Sequence, residues 1–189
     1  AHNGVLYLDE IAEFPTKAID NVRQPIEDGK VTISRLKYKV TYPSSFMLIA
    51  SMNPCPCGYY GQGERCRCTQ NMINRYMSRV SGPILDRIDM HIFVRAVESE
   101  LLVGDTVEEE SEVIAQRVRK ARDIQLERFK DCDIYTNAQM NAAQIREFCQ
   151  IDEPSKLFLN KAITKLGLSA RAYSRILKLS RTIADLDGN

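Results

Sequence analysis

With 189 residues, 44% of them hydrophobic, the chain is long enough for one ordinary domain or two small ones with cores of their own. Twenty-six Lys and Arg against 25 Asp and Glu leave a net charge of +1, so the bulk balance excludes a globally basic or acidic binding protein and any charged surface is local. No apolar run nears the roughly 20 residues that span a bilayer, and AHNGVLYLDE has no signal-peptide pattern, so a cytoplasmic protein without a membrane partner is expected.

In chain order, GVLYL is a short run of strand formers ending in Asp9 and Glu10, which reads as a buried, parallel strand. After Pro15, the spacing of Ala18, Val22 and Ile26 predicts a helix that Asp28-Gly29 ends, with Pro25 kinking it or lying at a frayed end. KVTISRLKYKVTYP alternates on either side of a basic tip and predicts a β-hairpin. FMLIA predicts a second buried strand, closed by the loop SMNPCPCG. A helix over TQNMINRYMSRVSG, stopping at Gly82, and a third strand at IDMHIFV follow, with His91 inside that strand.

Between Glu98 and Glu110 the apolar periodicity lapses, which places a linker at residues 97–107. It divides an α/β piece, residues 1–96, from an all-α piece, residues 108–189. In the second piece Ile114, Val118 and Ala121 mark one face of a long helix, with acids in its first turns and bases in its later ones, as the helix dipole favours. Asn137 to Cys149 and Pro154 to Leu166 predict two more helices, with Gly167 as the stop of the second. Ser169 caps a last helix in which Tyr173, Ile176, Ser180 and Ile183 share a face.

Adjacent acids at the C-terminal end of a strand lie where open parallel sheets bind ligands. The run GVLYLDE resembles a Walker B element, in which Asp9 holds hydrated Mg²⁺ and Glu10 polarises the attacking water. A strand that merely ends in a charged turn would carry the same residues. Three further stretches join it in order. SMNPCPCG resembles a sensor 1 element with Asn53 as its polar residue, and SGPILDRID resembles an arginine-finger segment with Arg87 directed at a neighbouring subunit's nucleotide. LSARAYSRILKLSRTIADL resembles a sensor 2 helix with Arg171 facing the γ-phosphate and Arg175 as the alternative.

The hairpin before sensor 1 narrows the resemblance to the AAA+ branch of magnesium chelatases and minichromosome-maintenance-type helicases. LDEIAEF, RQPIEDGKVTISR, NPCPCGYYG and LSGPILDRID are similar to the magnesium-chelatase-like ATPases of bacterial competence and branch migration. The resemblance implies a partial AAA+ parallel-sheet core with an inserted β-hairpin, followed by an α-helical lid. It also implies ATP and Mg²⁺ as ligands, self-assembly into a ring, most simply a hexamer, and motion coupled to DNA. The phosphate-loop pattern G-x-x-x-x-G-K-[ST] is absent from the 189 residues, whereas family members carry it upstream of Walker B. The chain is therefore expected to be a C-terminal part of a longer ATPase, with an incomplete sheet edge and negligible turnover when isolated.

Two local clusters carry further chemistry. Cys55, Cys57, Cys66 and Cys68 fall within fourteen residues as C-x-C, eight residues, C-x-C; they could supply four thiolates to a structural Zn²⁺ or remain free thiols in a loop. Cys132, Cys149 and His2 read as packing or structural residues. From Lys30 through Tyr42 the hairpin has bases and no acid, so Arg35, Lys37 and Lys39 suit phosphate contacts with DNA, and Tyr38 could stack on an unpaired base. A solvated hairpin made soluble by its lysines is the alternative. At the level of function, a DNA helicase or branch-migration translocase stands beside a chelatase-type subunit that remodels a protein partner, and beside an inert scaffold.

Overall fold

The computed structural model describes residues 1–94 and 108–189; the predicted linker at 97–107 lies outside them. They form a mixed α/β arrangement in two compact units, Ala1–Met90 and His91–Asn189, each described by itself.

In the first unit, β1 (Val5–Leu8) pairs in parallel with β4 (Met47–Ala50), setting Leu8 opposite Ala50. The strands are parallel as expected but not buried: Val5, Tyr7, Met47 and Ile49 are exposed, while Leu8 and Ala50 pack on the core. Alternation, not a continuous buried run, is the pattern of a sheet covered on one face. Between the two strands, α1 (Thr16–Asn21) and α2 (Arg23–Asp28) replace the single predicted helix. The break falls at Val22, and Pro25, with no N–H for an intrahelical bond, lies in the first turn of α2. Gly29 ends α2 at φ 61°, a left-handed cap that suits glycine. Ile19, not Ala18, is the buried residue of α1.

The hairpin forms as predicted, with β2 (Lys30–Arg35) antiparallel to β3 (Tyr38–Pro43) and Leu36-Lys37 as the two-residue connection. Thr32 and Thr41 share a cross-strand hydroxyl hydrogen bond of 3.0 Å. After the cysteine loop, Thr69 caps α3 (Gln70–Met77) by accepting from the Met72 N–H. This helix stops at Met77 and not at Gly82, because Gly82-Pro83 instead opens α4 (Gly82–Leu85) and proline suits a first turn. Ile11, Ala12, Ile19, Tyr76, Val80 and Ile84 form the core beneath the strand ends. Burying one such aliphatic side chain contributes about 1.5–3 kcal/mol.

The third predicted strand does not form. Residues 90–94 form no regular element and have no ladder partner among the described residues, and Ile92, Phe93 and Val94 are exposed. An apolar run becomes a strand only by pairing its backbone groups. His91 accordingly lies in irregular backbone.

The second unit contains α5 (Ser111–Arg128), α6 (Ala142–Phe148), α7 (Glu153–Leu166) and α8 (Ala170–Leu186). The predicted helix from Asn137 is two elements, a 3-10 turn at Asn137–Gln139 and then α6. Two capping boxes, Thr136 with Gln139 and Asn141 with Gln144, start separate elements three residues apart from the end of the first. Gly167 and Ser169 end α7 and cap α8 as expected. The expected faces hold in part: Ala121 is buried as expected, followed inward by Gln125 and Phe129, while Ile114 and Val118 are exposed. On α8, Leu177 and Asp185 are buried and Ile183 is exposed. Gln125, Asn137 and Asp185 share this interior with apolar residues, so apolar periodicity alone marks only part of the inward stripe. Phe129, Met140, Ile145, Cys149 and Leu177 form the apolar core, with Cys132 packed against it and the Phe129 and Phe148 rings edge to face at 5.4 Å.

Candidate functional site

The parallel register carries the chain ends of β1 and β4 out side by side, so Asp9-Glu10 emerges next to Ser51-Met52-Asn53. Backbone bonds extend the ladder past the strands: Ser51 N–H donates to Leu8 C=O at 3.0 Å, and Ile11 N–H donates to Ser51 C=O at 2.9 Å. Glu10 adopts φ 49°, ψ 52°, a left-handed conformation that costs a non-glycine residue about 1–2 kcal/mol. It turns the chain sharply after Asp9 and leaves both carboxylates exposed at the sheet end.

The Ser51 hydroxyl donates to Asp9 Oδ1 and accepts from the Glu10 N–H at 3.0 Å. Tyr7 Oη also donates to Asp9 Oδ1, at 3.1 Å. The Ser51 hydrogen bond, followed by that of Tyr7, holds the Asp9 carboxyl below its ordinary pKa, so it stays an anion able to accept a cation or its water shell. Asn53 Nδ2 donates to Glu10 Oε1 at 3.3 Å. The sequence-predicted Asp9, Glu10 and Asn53 are thus brought together.

The four cysteines of the following loop are also brought together. Their sulfurs lie within 4.8 Å of one another, with Cys55 to Cys57 at 3.4 Å, Cys57 to Cys66 at 3.8 Å and Cys55 to Cys66 at 3.9 Å. Sulfurs about 2.3 Å from a tetrahedral zinc are separated by about 3.8 Å, so the set fits that ion. All four are free thiols, and Cys55 is fully buried. The Tyr59 backbone and the Cys55 thiol pull Cys57 down to about 6, whereas burial and the Cys57 thiol push Cys68 up to about 12. Thiols this close resist joint ionisation unless a cation shares their charge. Gly58 and Gly61, at φ 82° and 87°, supply the left-handed turns that fold the loop back.

Arg87 lies elsewhere in the first unit. Its guanidinium pairs with Glu27 Oε1 at 2.7 Å and donates to the Pro83 carbonyl; the side chain is only 9% exposed, and its Nε has no partner. Arg171 and Arg175 lie on the first turns of α8, in the second unit. Arg35, Lys37 and Lys39 are exposed at the hairpin tip with Leu36 and Tyr38.

A family model described as magnesium chelatase, subunit ChlI, matches residues 1–102, and one described as magnesium chelatase, subunit ChlI C-terminal, matches residues 108–189. The chain belongs to the magnesium chelatase family. Within that family it is 46% identical over 190 residues to competence protein ComM of Haemophilus influenzae, covering 100% of this chain and 36% of that protein. It is 43% identical over 188 residues to the uncharacterized protein YifB of Escherichia coli, covering 99% and 36%. It is 25% identical over 189 residues to the chloroplastic magnesium-chelatase subunit ChlI-2 of Arabidopsis thaliana, covering 100% and 39%. The chain therefore spans about a third of the length of these relatives.

Three residues of this family member escaped sequence reasoning. Ser51 and Tyr7 orient Asp9, and Glu27 holds Arg87. Ser51 had a signal, because it is the first polar residue after β4 and so falls opposite the acid after β1 once the strands pair. Glu27 had none, since its partner is 60 positions away.

Proposed function

We propose that the strand-end cluster is the hydrolytic part of an ATP site, and that the full-length protein is an ATP-driven motor acting on DNA, as a helicase or branch-migration translocase assembled as a ring. The observation that carries this reading is the hydrogen-bonded set of Asp9, Glu10, Ser51 and Asn53 at the ends of two parallel strands. Bound Mg²⁺ neutralises charge developing on the phosphates; Asp9 would hold it through water. Glu10 would accept the proton of the attacking water or orient it, and Asn53 steadies the Glu10 carboxylate by donating to it.

In this reading the first unit is part of an AAA+ core and the second its helical lid. Arg171 on α8 then acts on the γ-phosphate from the lid, with Arg175 as the alternative. Arg87 serves the site of a neighbouring subunit, and its pair with Glu27 is the resting position from which it is drawn. The exposed bases Arg35, Lys37 and Lys39 meet DNA phosphates. The cysteine quartet holds a structural zinc.

Similarity to the chloroplast chelatase subunit favours a second reading, an ATPase subunit that remodels a protein partner. Both readings use the same hydrolytic residues. Measuring ATPase activity of the full-length protein with and without branched or single-stranded DNA separates them: stimulation by DNA supports the motor, and stimulation only by a tetrapyrrole-binding protein supports the alternative. The 189 residues alone, without a phosphate-loop pattern, are expected to turn over negligible ATP.

A further inference from the structure

The segment from Met52 to Thr69 leaves the acid pair at one end and starts α3 at the other. Asn53 is separated from the buried Cys55 by Pro54 alone, whose ring restricts the connection. The Asn53 side chain is exposed and grips Glu10 through one bond of 3.3 Å, too long and too open to hold the residue by itself. At the far end, Cys68 adjoins Thr69, the cap of α3, a helix anchored in the core by Ile73 and Tyr76. The loop between is poor in packing: Pro56, Tyr59 and Tyr60 are exposed, and Gly58, Gly61 and Gly63 all adopt positive φ. Such a chain keeps wide conformational freedom unless it is cross-linked.

We propose that the four-thiol knot is the positioning device for Asn53, so that the metal bound by Cys55, Cys57, Cys66 and Cys68 sets the geometry of Glu10. This inference rests on the ATP-site reading and adds a metal requirement to it. With the knot closed, Cys55 is fixed relative to the Thr69 cap, and Asn53, one residue beyond Pro54, is held against Glu10. With the knot open, Asn53 moves with the loop and Glu10 loses its only described side-chain donor.

The test has two arms. In the 189-residue chain with labelled asparagine side chains, stripping with chelator under reducing conditions and titrating with Zn²⁺ should move the Asn53 amide resonances, saturating at about one zinc per chain. The side-chain amide of Asn21 in α1, in the same unit, reports folding of that unit and should stay in place, which keeps the result readable without any cysteine variant. In the full-length protein, zinc removal should lower ATP turnover about tenfold or more in the wild type but less than twofold in Asn53→Ala, the non-additivity expected when one residue acts through another. Zinc binding with an unmoved Asn53 amide, equal losses in both proteins, or no zinc binding would overturn the proposal. Full turnover by zinc-loaded Asn53→Ala would instead overturn the ATP-site reading, leaving the amide response as the measure of the coupling.

Discussion

Ser51 donates its hydroxyl to Asp9 across the end of the parallel ladder, although the two residues are 42 positions apart. The same oxygen receives the Glu10 N–H, so one side chain orients both acids. Ser51→Ala should therefore lower ATP turnover of the full-length protein by about tenfold, the scale of a small misplacement of a reacting group, while Ser51→Thr should keep most of it. Steady-state ATPase measurements of the two variants decide this, and equal loss in both would mean that bulk and not the hydroxyl matters.

The sulfur separations match a zinc tetrahedron, so purified protein should contain about one zinc per chain and Cys66→Ser should reduce that content. Metal analysis of protein prepared with reductant and without chelator reads this directly.

In the helical unit, the fully buried Asp185 carboxylate accepts from Arg128 at 2.5 and 2.8 Å, from Asn137 at 2.7 Å and from Arg181 at 3.0 Å. Arg128→Ala should destabilise this unit by about 3 kcal/mol in chemical denaturation, because a buried charge loses its bidentate partner. Burial pushes the Asp185 pKa up, but the hydrogen bonds from Arg128, Asn137 and Arg181 outweigh it and leave the pKa lowered. A lowered folded-state value stabilises above the unfolded pKa, about 3.9, and that stability is lost as pH falls through the folded value. Acid unfolding below about pH 4 should therefore be blunted in Asp185→Asn relative to its own stability at neutral pH.

Joint substitution of Arg35, Lys37 and Lys39 by Ala should flatten the salt dependence of DNA binding by the full-length protein and abolish DNA-stimulated turnover, with basal turnover kept. Each phosphate contact contributes close to one unit of slope against log salt. Binding isotherms across salt concentrations measure it.

The parallel strands, the hairpin, the helix stops at Gly29 and Gly167 and the cap at Ser169 were legible because each depends on local chemistry. What escaped depended on partners distant in sequence. Ile92 to Val94 had strand composition but no described strand to pair with, and the buried Gln125 and Asp185 place polar partners on the inward faces of α5 and α8 that apolar spacing does not mark. At the site, Asp9, Glu10, Asn53 and the cysteines were legible from their positions after apolar runs or their spacing. Ser51 had a signal only through the strand register, and Glu27 became visible only when folding set it beside Arg87.

The proposed hydrolytic role of the strand-end cluster depends most directly on Glu10, as the residue that activates water at the end of β1. The direct measurement is paired nucleotide binding and single-turnover hydrolysis by full-length Glu10→Gln. The variant should bind ATP with near wild-type affinity and retain it unhydrolysed, with turnover reduced by about 10²-fold or more. Hydrolysis at the wild-type rate by Glu10→Gln would contradict the assignment of the strand-end cluster as the hydrolytic site.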